Sequence, residues 1–295
     1  MKVHYLQLHP KNWKSYQLID SGNYEKLEQF GGITLRRPEP QAIWEAFLPK
    51  NQWNQSSIIT FQPTSSHSGN WLGNIQKDHW ILDYHTKDYQ LKFQLSFTKF
   101  KHIGIFPEQA ENWDYIYRNV KKLKFGKVLN LFAYTGGATL AAASANSKVQ
   151  VTHLDAIKQV VSWAKQNAQI NQLNNIRWIV DDAMVFVKRE IRRGNLYEGI
   201  ILDPPAFGHG PNGERWKLED HLNELMKLVS KILNPNQYFF VLNAYSLNFS
   251  PLILENFIRL HFHHLVIKEL EIGDLYLEAK SGHKLPTGVF CRFSS

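Results

Sequence analysis

Residues 128–137 read Val-Leu-Asn-Leu-Phe-Ala-Tyr-Thr-Gly-Gly and open the part of the chain that decides the fold. The apolar residues 128–132 have the length of a strand, and the small residues 137–145 have the length of a helix. Between them, Gly136 and Gly137 allow a tight turn and a close approach of the backbone, since glycine has no Cβ. The stretch therefore predicts a strand, a tight turn and a helix in succession.

The same alternation continues downstream. Strands are expected at residues 149–154, 176–180, 197–202 and 238–242, and helices at residues 156–170, 182–192 and 218–233. Successive strand–helix units require right-handed crossovers that cover both faces of a sheet. We therefore predict an α/β fold with a Rossmann-like, doubly wound, mostly parallel sheet.

The first hundred residues have a different pattern, in which short strand-sized runs lie between turn signals. One helix is expected at residues 41–47, after a proline. The clearest strand is apolar at every second position, which places one stripe on a single face: Tyr89, Leu91, Phe93, Leu95 and Phe97. These features predict a small, antiparallel, β-rich N-terminal module at residues 1–104, followed by a second domain at residues 105–295.

The composition excludes several classes of protein. In a chain of 295 residues, a hydrophobic fraction of 43% is enough for a packed core and excludes intrinsic disorder. A single cysteine excludes a disulfide framework and an all-cysteine zinc site, as expected in a reducing compartment. No apolar run reaches the roughly 18 residues that a membrane helix needs, and the N-terminus lacks the apolar core of a secretion signal. We expect a soluble, cytoplasmic protein with no membrane partner.

The net charge of +8 is compatible with a polyanionic partner, because clustered lysine and arginine bind phosphates with release of counterions. Two basic clusters are local, one at residues 118–127 and the other at residues 188–193. Each cluster suits a helix end equally well, since the helix dipole favours cations there. His261, His263 and His264 crowd an expected strand without an acid or thiol at ligand spacing, so no metal site is predicted.

In such a sheet, ligands bind beyond the carboxyl ends of the strands. The second strand ends at Asp155, 19 residues after Gly136, a spacing typical of the acid that accepts ribose hydroxyls. Asp155 also suits a helix N-cap, and the two roles are compatible. After the third strand, one of Asp181 and Asp182 is expected to cap the next helix and the other to reach an adenine amine. Together with the glycine turn, these acids indicate a ligand that contains adenosine.

The turn after the first of these strands distinguishes among adenosine ligands. A dinucleotide requires a G-x-G-x-x-G cradle for its pyrophosphate, and this turn does not supply it. That difference favours S-adenosylmethionine, which has no phosphate. The rings of Phe132 and Tyr134 could lie near its sulfonium, because ring faces attract cations, although Phe132 also suits the core. The residues expected here to bind the cofactor are Asn130, Phe132, Ala133, Tyr134, Thr135, Gly136, Gly137, Asp155, Asp182 and Ala183.

The fourth strand ends in Asp203-Pro204-Pro205-Ala206-Phe207-Gly208. Each proline removes a ladder donor and holds the preceding residue extended, so the strand must stop here in a rigid corner. Carbonyl oxygens at the corner would lack strand partners and point into the cleft beside the Asp203 carboxylate. Such acceptors suit the N–H groups of an extruded nucleobase, on which Phe207 could stack, and a plain turn is the alternative. The expected catalytic residues are Asp203, Pro204, Pro205 and Phe207.

These motifs resemble those of the class I S-adenosylmethionine-dependent methyltransferases, and most closely the large-subunit ribosomal RNA methyltransferases that modify cytosine C5. The similar stretches are residues 128–137, Asp155 with its helix through Asn167, residues 181–183 and residues 203–207. The resemblance extends weakly upstream to residues 104–109, the lead-in segment of that family. It implies that Phe106 and Gln109 lie near the cofactor, and it does not extend to the first hundred residues.

Two departures from that family bear on the chemistry. Members that methylate C5 resemble one another in a cysteine after the fifth strand, which adds to ring carbon 6, whereas this chain has Asn243-Ala244-Tyr245-Ser246 there. Its single cysteine, Cys291, is expected to be buried in a C-terminal strand. In the lead-in segment, Ala110 and Trp113 stand where the family often has arginines. The resemblance therefore implies the fold and the cofactor of the family without its C5 chemistry.

The sequence as a whole predicts an S-adenosylmethionine-dependent methyltransferase that modifies a nitrogen of a nucleobase in RNA, with ribosomal RNA as the expected substrate. Asp203 and the Pro204 carbonyl would orient the acceptor amine, and Phe207 would stack on the ring. Two alternatives stay open at this point. One is a nicotinamide-dependent oxidoreductase on a Rossmann fold, and the other is a module that binds S-adenosylmethionine or RNA without turnover.

Overall fold

A computed structural model describes residues 1–11, 13–55, 57–65, 68–245 and 249–295. The chain divides into two compact units. The larger unit comprises Met1–Leu8, Gln109–Leu275 and Thr287–Ser295, and the smaller unit comprises His9–Glu108 and Tyr276–Pro286. This division departs from the predicted boundary between residues 104 and 105. Strand β1 (Lys2–Leu8) belongs to the larger unit because it pairs along its whole length with residues 269–275.

The smaller unit is built from strands, as predicted. A sheet contains β2 (Tyr16–Gly22), β3 (Glu25–Phe30), β4 (Ile33–Pro38), β5 (Ile58–Pro63) and β6 (Gly69–Leu72) in that order, and a hairpin contains β7 (His79–His85) and β8 (Gln90–Ser96). The antiparallel prediction holds except between β4 and β5, which are parallel. In β8, Leu91, Phe93 and Leu95 are fully buried, which confirms the alternating pattern.

The helix predicted at residues 41–47 is wrong, and the short helix of this region is α1 (Lys50–Trp53). The carbonyls of Ala42 and Trp44 accept hydrogen bonds from the backbone N–H groups of Tyr24 and Asn23 in the turn between β2 and β3. The segment also crosses close to Gly22, where a Cβ would lie 2.4 Å from the backbone nitrogen of Ala46. Seven residues form too short a helix to resist such tertiary contacts.

The larger unit has the predicted alternation of strands and helices. In chain order it contains α2 (Ala110–Lys121), β9 (Gly126–Leu131), α3 (Gly137–Ala145), β10 (Val149–Asp155), α4 (Lys158–Ile170), β11 (Ile176–Val180), α5 (Ala183–Arg192), β12 (Gly199–Leu202), β13 (Phe207–His209), β14 (Arg215–Lys217), α6 (Leu218–Val229), β15 (Phe239–Ala244), α7 (Pro251–His261), β16 (Glu269–Glu278) and β17 (Lys284–Ser294). The predicted helices start or end within four residues of these bounds.

The main sheet has the order β1-β16-β17-β15-β12-β9-β10-β11. Strands β11, β10, β9, β12 and β15 are parallel to their neighbours in this series, and β17 is antiparallel to β15. Strand β9 buries Leu129 and Leu131 in one core with α5, α6 and α7, and buries Val128 in a second core with α2 and α3. Helices therefore cover both faces, which confirms the doubly wound, mostly parallel prediction.

The strand expected around the three histidines is wrong. His261 is the last residue of α7, and His263 and His264 follow in a turn. Ser250 caps α7 by accepting a hydrogen bond from the Leu252 N–H, and Leu254 and Ile258 are buried one helical turn apart. The buried apolar residues of this segment are therefore four positions apart, as in a helix, and not two positions apart, as in a strand. In the described part of the chain, no helix is long and apolar enough to cross a membrane.

Candidate functional site

The turn that follows β9 has an unusual backbone. Phe132, Tyr134 and Gly136 have positive φ angles of 56°, 48° and 96°. Side chains with a Cβ rarely adopt this left-handed conformation, so the surrounding structure must hold the first two residues in place. Because β9 lies beside β10 and β12 in the sheet, this turn lies at the carboxyl edge that the sequence singled out.

Hydrogen bonds from neighbouring elements hold the turn. The Tyr134 N–H donates to the Asp155 Oδ2 at 2.9 Å, and the Ala133 N–H donates to the Leu154 carbonyl at 3.0 Å. From α4, the buried Asn167 Nδ2 donates to the Thr135 carbonyl at 3.0 Å. The turn is thus tied to β10 and to α4, which keeps its backbone preorganised.

A buried polar chain lies beneath the turn. The Asn130 Nδ2 donates to the Thr139 Oγ1 at 2.9 Å, and the Thr139 Oγ1 lies 2.9 Å from the His153 Nδ1. Burial lowers the pKa of His153 to about 3, so the ring is neutral and its Nδ1 can accept the threonine proton. The structure therefore gives Asn130 a supporting place under the turn.

Asp155 does not cap α4, because the N-cap of that helix is Ile157, but its side chain accepts hydrogen bonds from two backbone segments. Its Oδ1 accepts from the Ile157 N–H at 3.0 Å, near the start of α4, and its Oδ2 accepts from Tyr134. Burial raises the pKa of Asp155, and hydrogen bonds from Ile157, Tyr134 and Ala156 oppose that rise. A carboxylate has about four acceptor sites, so these three bonds leave it capacity for a ribose hydroxyl. The hydrogen-bond acceptors at this edge thus fit an adenosine group without a phosphate.

The two acids after β11 have separate partners. The Asp182 Oδ1 accepts from the Val185 N–H at 2.8 Å and caps α5. Asp181 forms an ion pair with Arg189. Ala183 is buried in the core, so its side chain is not available to a ligand. Its backbone N–H is suited to one, because the N–H groups of the first helical turn have no acceptor within the helix.

Gly137 is required by its neighbour in α2. A Cβ at this position would lie 2.6 Å from the Trp113 ring, so any larger residue would displace the indole. Trp113 itself is buried. The close packing of α2 on α3 therefore explains both the second glycine of the pair and the tryptophan at a position where arginine was expected.

Asp203, at the end of β12, is held by two amides. The Asn243 Nδ2, from β15, donates to the Asp203 Oδ1 at 2.8 Å, and the Gln109 Nε2 donates to the Oδ2 at 3.3 Å. Gln109 is in turn fixed by the Asn112 Nδ2, which donates to the Gln109 Oε1 at 2.9 Å. Burial raises the pKa of Asp203 to about 6, although the Asn243 hydrogen bond lowers it. Gln109, for which the resemblance implies a place near the cofactor, thus contacts Asp203.

The two prolines differ in what their carbonyls can do. The Trp216 Nε1 donates to the Pro205 carbonyl at 2.6 Å, so the expectation of an unpartnered oxygen is wrong at Pro205. The Leu218 N–H likewise donates to the Ala206 carbonyl at 2.9 Å. Within the described residues, the Pro204 carbonyl accepts no hydrogen bond. One backbone acceptor beside Asp203 therefore remains for a ligand.

The aromatic residues predicted for the site lie in different surroundings. Phe207 is 70% exposed and begins β13. The Phe132 ring packs on the core, 4.8 Å from the Trp216 ring, as its alternative interpretation proposed. Phe106 belongs to the smaller unit, where its ring lies 5.1 Å from that of His102.

Several residues of this site were not predicted from the sequence. From the sequence, Asn243 is recognisable only as a residue that stands where the family has its cysteine. Ser246, the last residue of that stretch, lies outside the described residues. His153 and Thr139 have no motif, and a polar residue within an apolar strand was their only signal. Trp216 follows a glycine-rich segment that offered no pattern for a partner of Pro205.

Cys291 lies in β17 opposite Leu242, and burial raises the pKa of its thiol. The thiol is therefore not poised as a nucleophile, as expected. Among the side chains that the structure describes, no group of three or more His, Cys, Asp or Glu residues is arranged to hold a metal ion.

The sheet order, the turn after β9 and the acids at the carboxyl edge define a Rossmann-like domain that binds a nucleoside. The family model described as S-adenosylmethionine-dependent methyltransferase matches residues 52–265. The chain belongs to this family, and its cofactor is S-adenosylmethionine. The nicotinamide-dependent alternative is thereby set aside.

The chain is also similar to individual proteins. It is 32% identical over 154 residues to the ribosomal RNA large subunit methyltransferase K/L of Shewanella frigidimarina, a match that covers 51% of this chain and 21% of that protein. The chain thus spans about a fifth of the length of the curated relatives it matches. A crystal structure of the SAM-dependent methyltransferase from Agrobacterium tumefaciens is 35% identical, with a TM-score of 0.89 and coverage of 99% of this chain and 95% of that chain.

A more distant structure supports the fold alone. It comes from Streptococcus mutans and is described as a candidate SAM-dependent methyltransferase. It is 14% identical, with a TM-score of 0.73 and coverage of 97% of this chain and 76% of that chain.

Proposed function

We propose that this protein transfers a methyl group from S-adenosylmethionine to a nitrogen of a nucleobase in RNA, and that its substrate is ribosomal RNA of the large subunit. The observation that carries the proposal is the buried carboxylate of Asp203, which Asn243 and Gln109 hold beside the Pro204 carbonyl. The printed name of the Shewanella relative supports the choice of RNA.

An exocyclic amine presents two N–H donors, and both must find acceptors if its lone pair is to point at the methyl carbon. Asp203 and the Pro204 carbonyl offer one acceptor each on adjacent residues. Held in this way, the amine is oriented for in-line attack, and most of the rate enhancement comes from positioning. Phe207, which is exposed, is available to stack on the ring of the base.

When bound, S-adenosylmethionine supplies an electrophilic methyl carbon, whose bond to sulfur breaks with its electrons left on sulfur as the nitrogen–carbon bond forms. The nitrogen then sheds one N–H proton. With a pKa of about 6, Asp203 is mostly ionised at neutral pH and is the nearest proton acceptor among the residues named here. Its carboxylate can therefore orient the amine first and take the proton afterwards.

The residues proposed to hold the cofactor are those at the carboxyl edge of the sheet. The turn from Phe132 to Gly137 would lie against the methionine portion, and Asp155 would accept from the ribose hydroxyls. Asp182 and the Ala183 N–H would face the adenine. Gln109 would lie between the cofactor and the acceptor, because it contacts Asp203.

Methylation of a nitrogen is favoured over methylation of cytosine C5. The C5 reaction needs a thiolate that adds to the ring, and the sequence of residues 243–246, which begins within the end of β15, contains no cysteine. Cys291 is buried with a raised thiol pKa and cannot replace that nucleophile. A ring nitrogen or an exocyclic amine needs no such covalent step.

The substitution Asp203→Asn tests the proposal. Radiolabelled methyl transfer to total RNA, prepared from a strain that lacks this protein, should occur with the native chain and fall at least about a hundredfold in the variant, as expected when a general base is lost. Binding of S-adenosylmethionine, followed by calorimetry, should be retained in the variant.

Asp220→Asn is a matched control, since this exposed carboxylate pairs with Lys217 at the start of α6. It should leave the transfer rate unchanged. Full turnover in the Asp203 variant would rule out the proposed role, and the lack of any RNA labelling by the native chain would rule out RNA as the substrate.

A further inference from the structure

The residues after the Asp203-Pro204-Pro205 corner form a short hairpin, which we call the 207–217 hairpin. Strand β13 pairs with β14 in antiparallel register, with Phe207 opposite Lys217 and His209 opposite Arg215. Residues directly opposite one another in an antiparallel pair point to the same face. All four of these side chains are exposed, so one face of the hairpin presents an aromatic ring, two cations and an imidazole to solvent.

The other face of the hairpin is attached to the site. Trp216 is buried there, with its Nε1 bonded to the Pro205 carbonyl and its ring 4.8 Å from that of Phe132. Gly208 lies opposite Trp216 in the register of the hairpin. The exposed face is therefore anchored to both the Pro-Pro corner and the turn after β9. Phe207 is four positions from Asp203 along the chain, so their Cα atoms lie within about 14 Å of each other.

The single acid of the hairpin is used within it. The Glu214 carboxylate accepts from the Asn212 N–H at 2.9 Å and from the Asn212 Nδ2 at 3.1 Å. Lys217 contacts Asp220 at 3.1 Å in an exposed pair, which is weak in water. In the described structure, Arg215 makes no ion pair. The exposed face therefore keeps its positive charge.

The basic clusters noted in the sequence lie elsewhere. The first begins in the last turn of α2 and extends to Lys127 in β9, and the second lies in the last turns of α5 and ends at Arg193. Lys127 and Asn195 join the two regions, since the Lys127 Nζ donates to the Asn195 Oδ1 at 3.3 Å. Because parallel strands start at the edge opposite to where they end, Lys124 and Arg192 lie on the side of the sheet away from Asp203, whereas Arg189 reaches Asp181.

We propose that the 207–217 hairpin grips the single-stranded RNA that flanks the target base. Arg215 and Lys217 would contact phosphates of the flanking strand, His209 would donate a hydrogen bond to its backbone, and Phe207 would stack on the target base. An exposed ring among cations, close to the carboxylate, matches the combination of charge and stacking that binds single strands. This inference rests on the proposed function, because it assigns the element that recognises the RNA substrate.

The test measures binding of a short fluorescein-labelled single-stranded RNA by anisotropy over a range of NaCl concentrations. For single strands, the slope of log K against log salt falls by about 0.7 for each phosphate contact removed. Arg215→Ala combined with Lys217→Ala should therefore lower the slope by about 1.4. Phe207→Ala should weaken binding about tenfold with the slope unchanged, since stacking carries no charge.

The matched control is Lys124→Ala combined with Arg192→Ala, which removes the same charge at the opposite edge of the sheet. It should leave the slope near that of the native chain. Melting temperature and S-adenosylmethionine binding identify any variant that has lost its fold. Methyl transfer to RNA should show a raised KM with a retained kcat in the Arg215 and Lys217 double variant.

Two results would overturn the inference. One is an unchanged slope in the double variant, and the other is a change that appears only with anionic phospholipid vesicles and not with RNA. The proposed function fails separately, when the native chain transfers no methyl group to RNA. RNA methylation by the native chain together with an unchanged slope would leave the function standing and remove only the role of the hairpin.

Discussion

Asp203 is costly to the fold in its ionised form. Burial raises its pKa to about 6 from an ordinary value near 3.8, so the folded state holds the proton more tightly than the unfolded state does. Stability from this group is complete below the unfolded pKa and is lost as pH rises through the folded pKa. At neutral pH the protein therefore keeps a destabilising carboxylate at the position where the chemistry needs one.

Asp203→Asn should consequently stabilise the protein while it removes activity. The free energy of unfolding at neutral pH should rise by about 1–3 kcal/mol, because a shift of one pKa unit corresponds to about 1.4 kcal/mol. The gain should shrink as pH falls from about 6 to about 4, where the native carboxyl becomes protonated. Urea unfolding at several pH values measures it.

The neighbouring amides can accommodate the new side chain. Among the described residues, the buried Oδ1 of Asn243 has no partner, and rotation of the amide would present this oxygen to the new NH₂ group. Asp182→Asn is a suitable control, since it keeps an oxygen to cap α5. A variant at position 203 that is equally or less stable at neutral pH would contradict the account of the buried charge.

Single residues were predicted best where a motif fixes their chemistry. Asp155, Asp182 and Asp203 lie at strand ends in the structure, as their spacing predicts, because parallel strands end at one edge. Their partners could not be predicted. Asn243 reaches Asp203 from 40 positions away, and no local pattern carries such a contact.

At the scale of the element, the 207–217 hairpin shows why a very short strand cannot be predicted from the periodicity of its residues. Each of its strands has three residues, too few for an alternating pattern to be read. The glycines at positions 208, 210 and 213 indicate a loop there rather than strands. The Gly210 N–H donates to the Glu214 carbonyl at 2.7 Å, which closes the tip and makes the segment a hairpin.

Trp216→Phe tests whether this hairpin supports the corner. The change keeps a ring against Phe132 but removes the N–H donor to the Pro205 carbonyl, so the free energy of unfolding should fall by about 1 kcal/mol. Methyl transfer to RNA should slow as well, because the end of β12 loses its anchor. Urea unfolding and radiolabel transfer measure the two effects.

Trp71→Phe in the smaller unit is the comparison, since the Trp71 Nε1 also donates to a backbone carbonyl, that of Thr98, at 2.8 Å. It should cost similar stability and leave the transfer rate unchanged. Equal losses of activity in both variants would mean that the rate reports general stability and not the anchor on Pro205.

At the scale of the whole molecule, the chain crosses between its units more than once. It leaves the larger unit after Leu8, returns at Gln109, leaves again at Tyr276 and returns at Thr287. The sequence suggested a single boundary, because a composition shift near residue 100 is visible whereas an edge strand at residues 2–8 has no distinctive pattern. Whether a strand belongs to one unit or the other depends on the strand with which it pairs. That partner can lie far away in the sequence, so a local sequence pattern does not reveal it.

A truncated chain of residues 105–295 should therefore fold poorly, although the predicted boundary made it a domain. Loss of β1 exposes the backbone of β16, and a bare edge strand promotes aggregation. The β1 pairing is close, because a Cβ at Gly273 would lie 1.7 Å from the Leu6 carbonyl oxygen. Gel filtration and thermal melting should show aggregation or a lowered melting temperature relative to the full chain.

Tyr5→Phe is the control for this truncation, since it removes only the exposed bond from the Tyr5 hydroxyl to Asp274. Its effect should stay within about 0.5 kcal/mol, as is usual for surface changes. A truncated chain that is monomeric and as stable as the full chain would show that β1 is dispensable.

The pairing of β1 with β16 also constrains how the protein is made. The bond between Tyr5 and Asp274 spans 269 positions, and in the smaller unit Leu18 bridges to Ala279. Neither unit has all its strands until translation has passed the end of the Tyr276–Pro286 segment. An N-terminal domain usually folds while the rest of the chain is still being synthesised, but neither unit of this chain can be completed in that way. Its nascent form must therefore stay incomplete until that segment has been made.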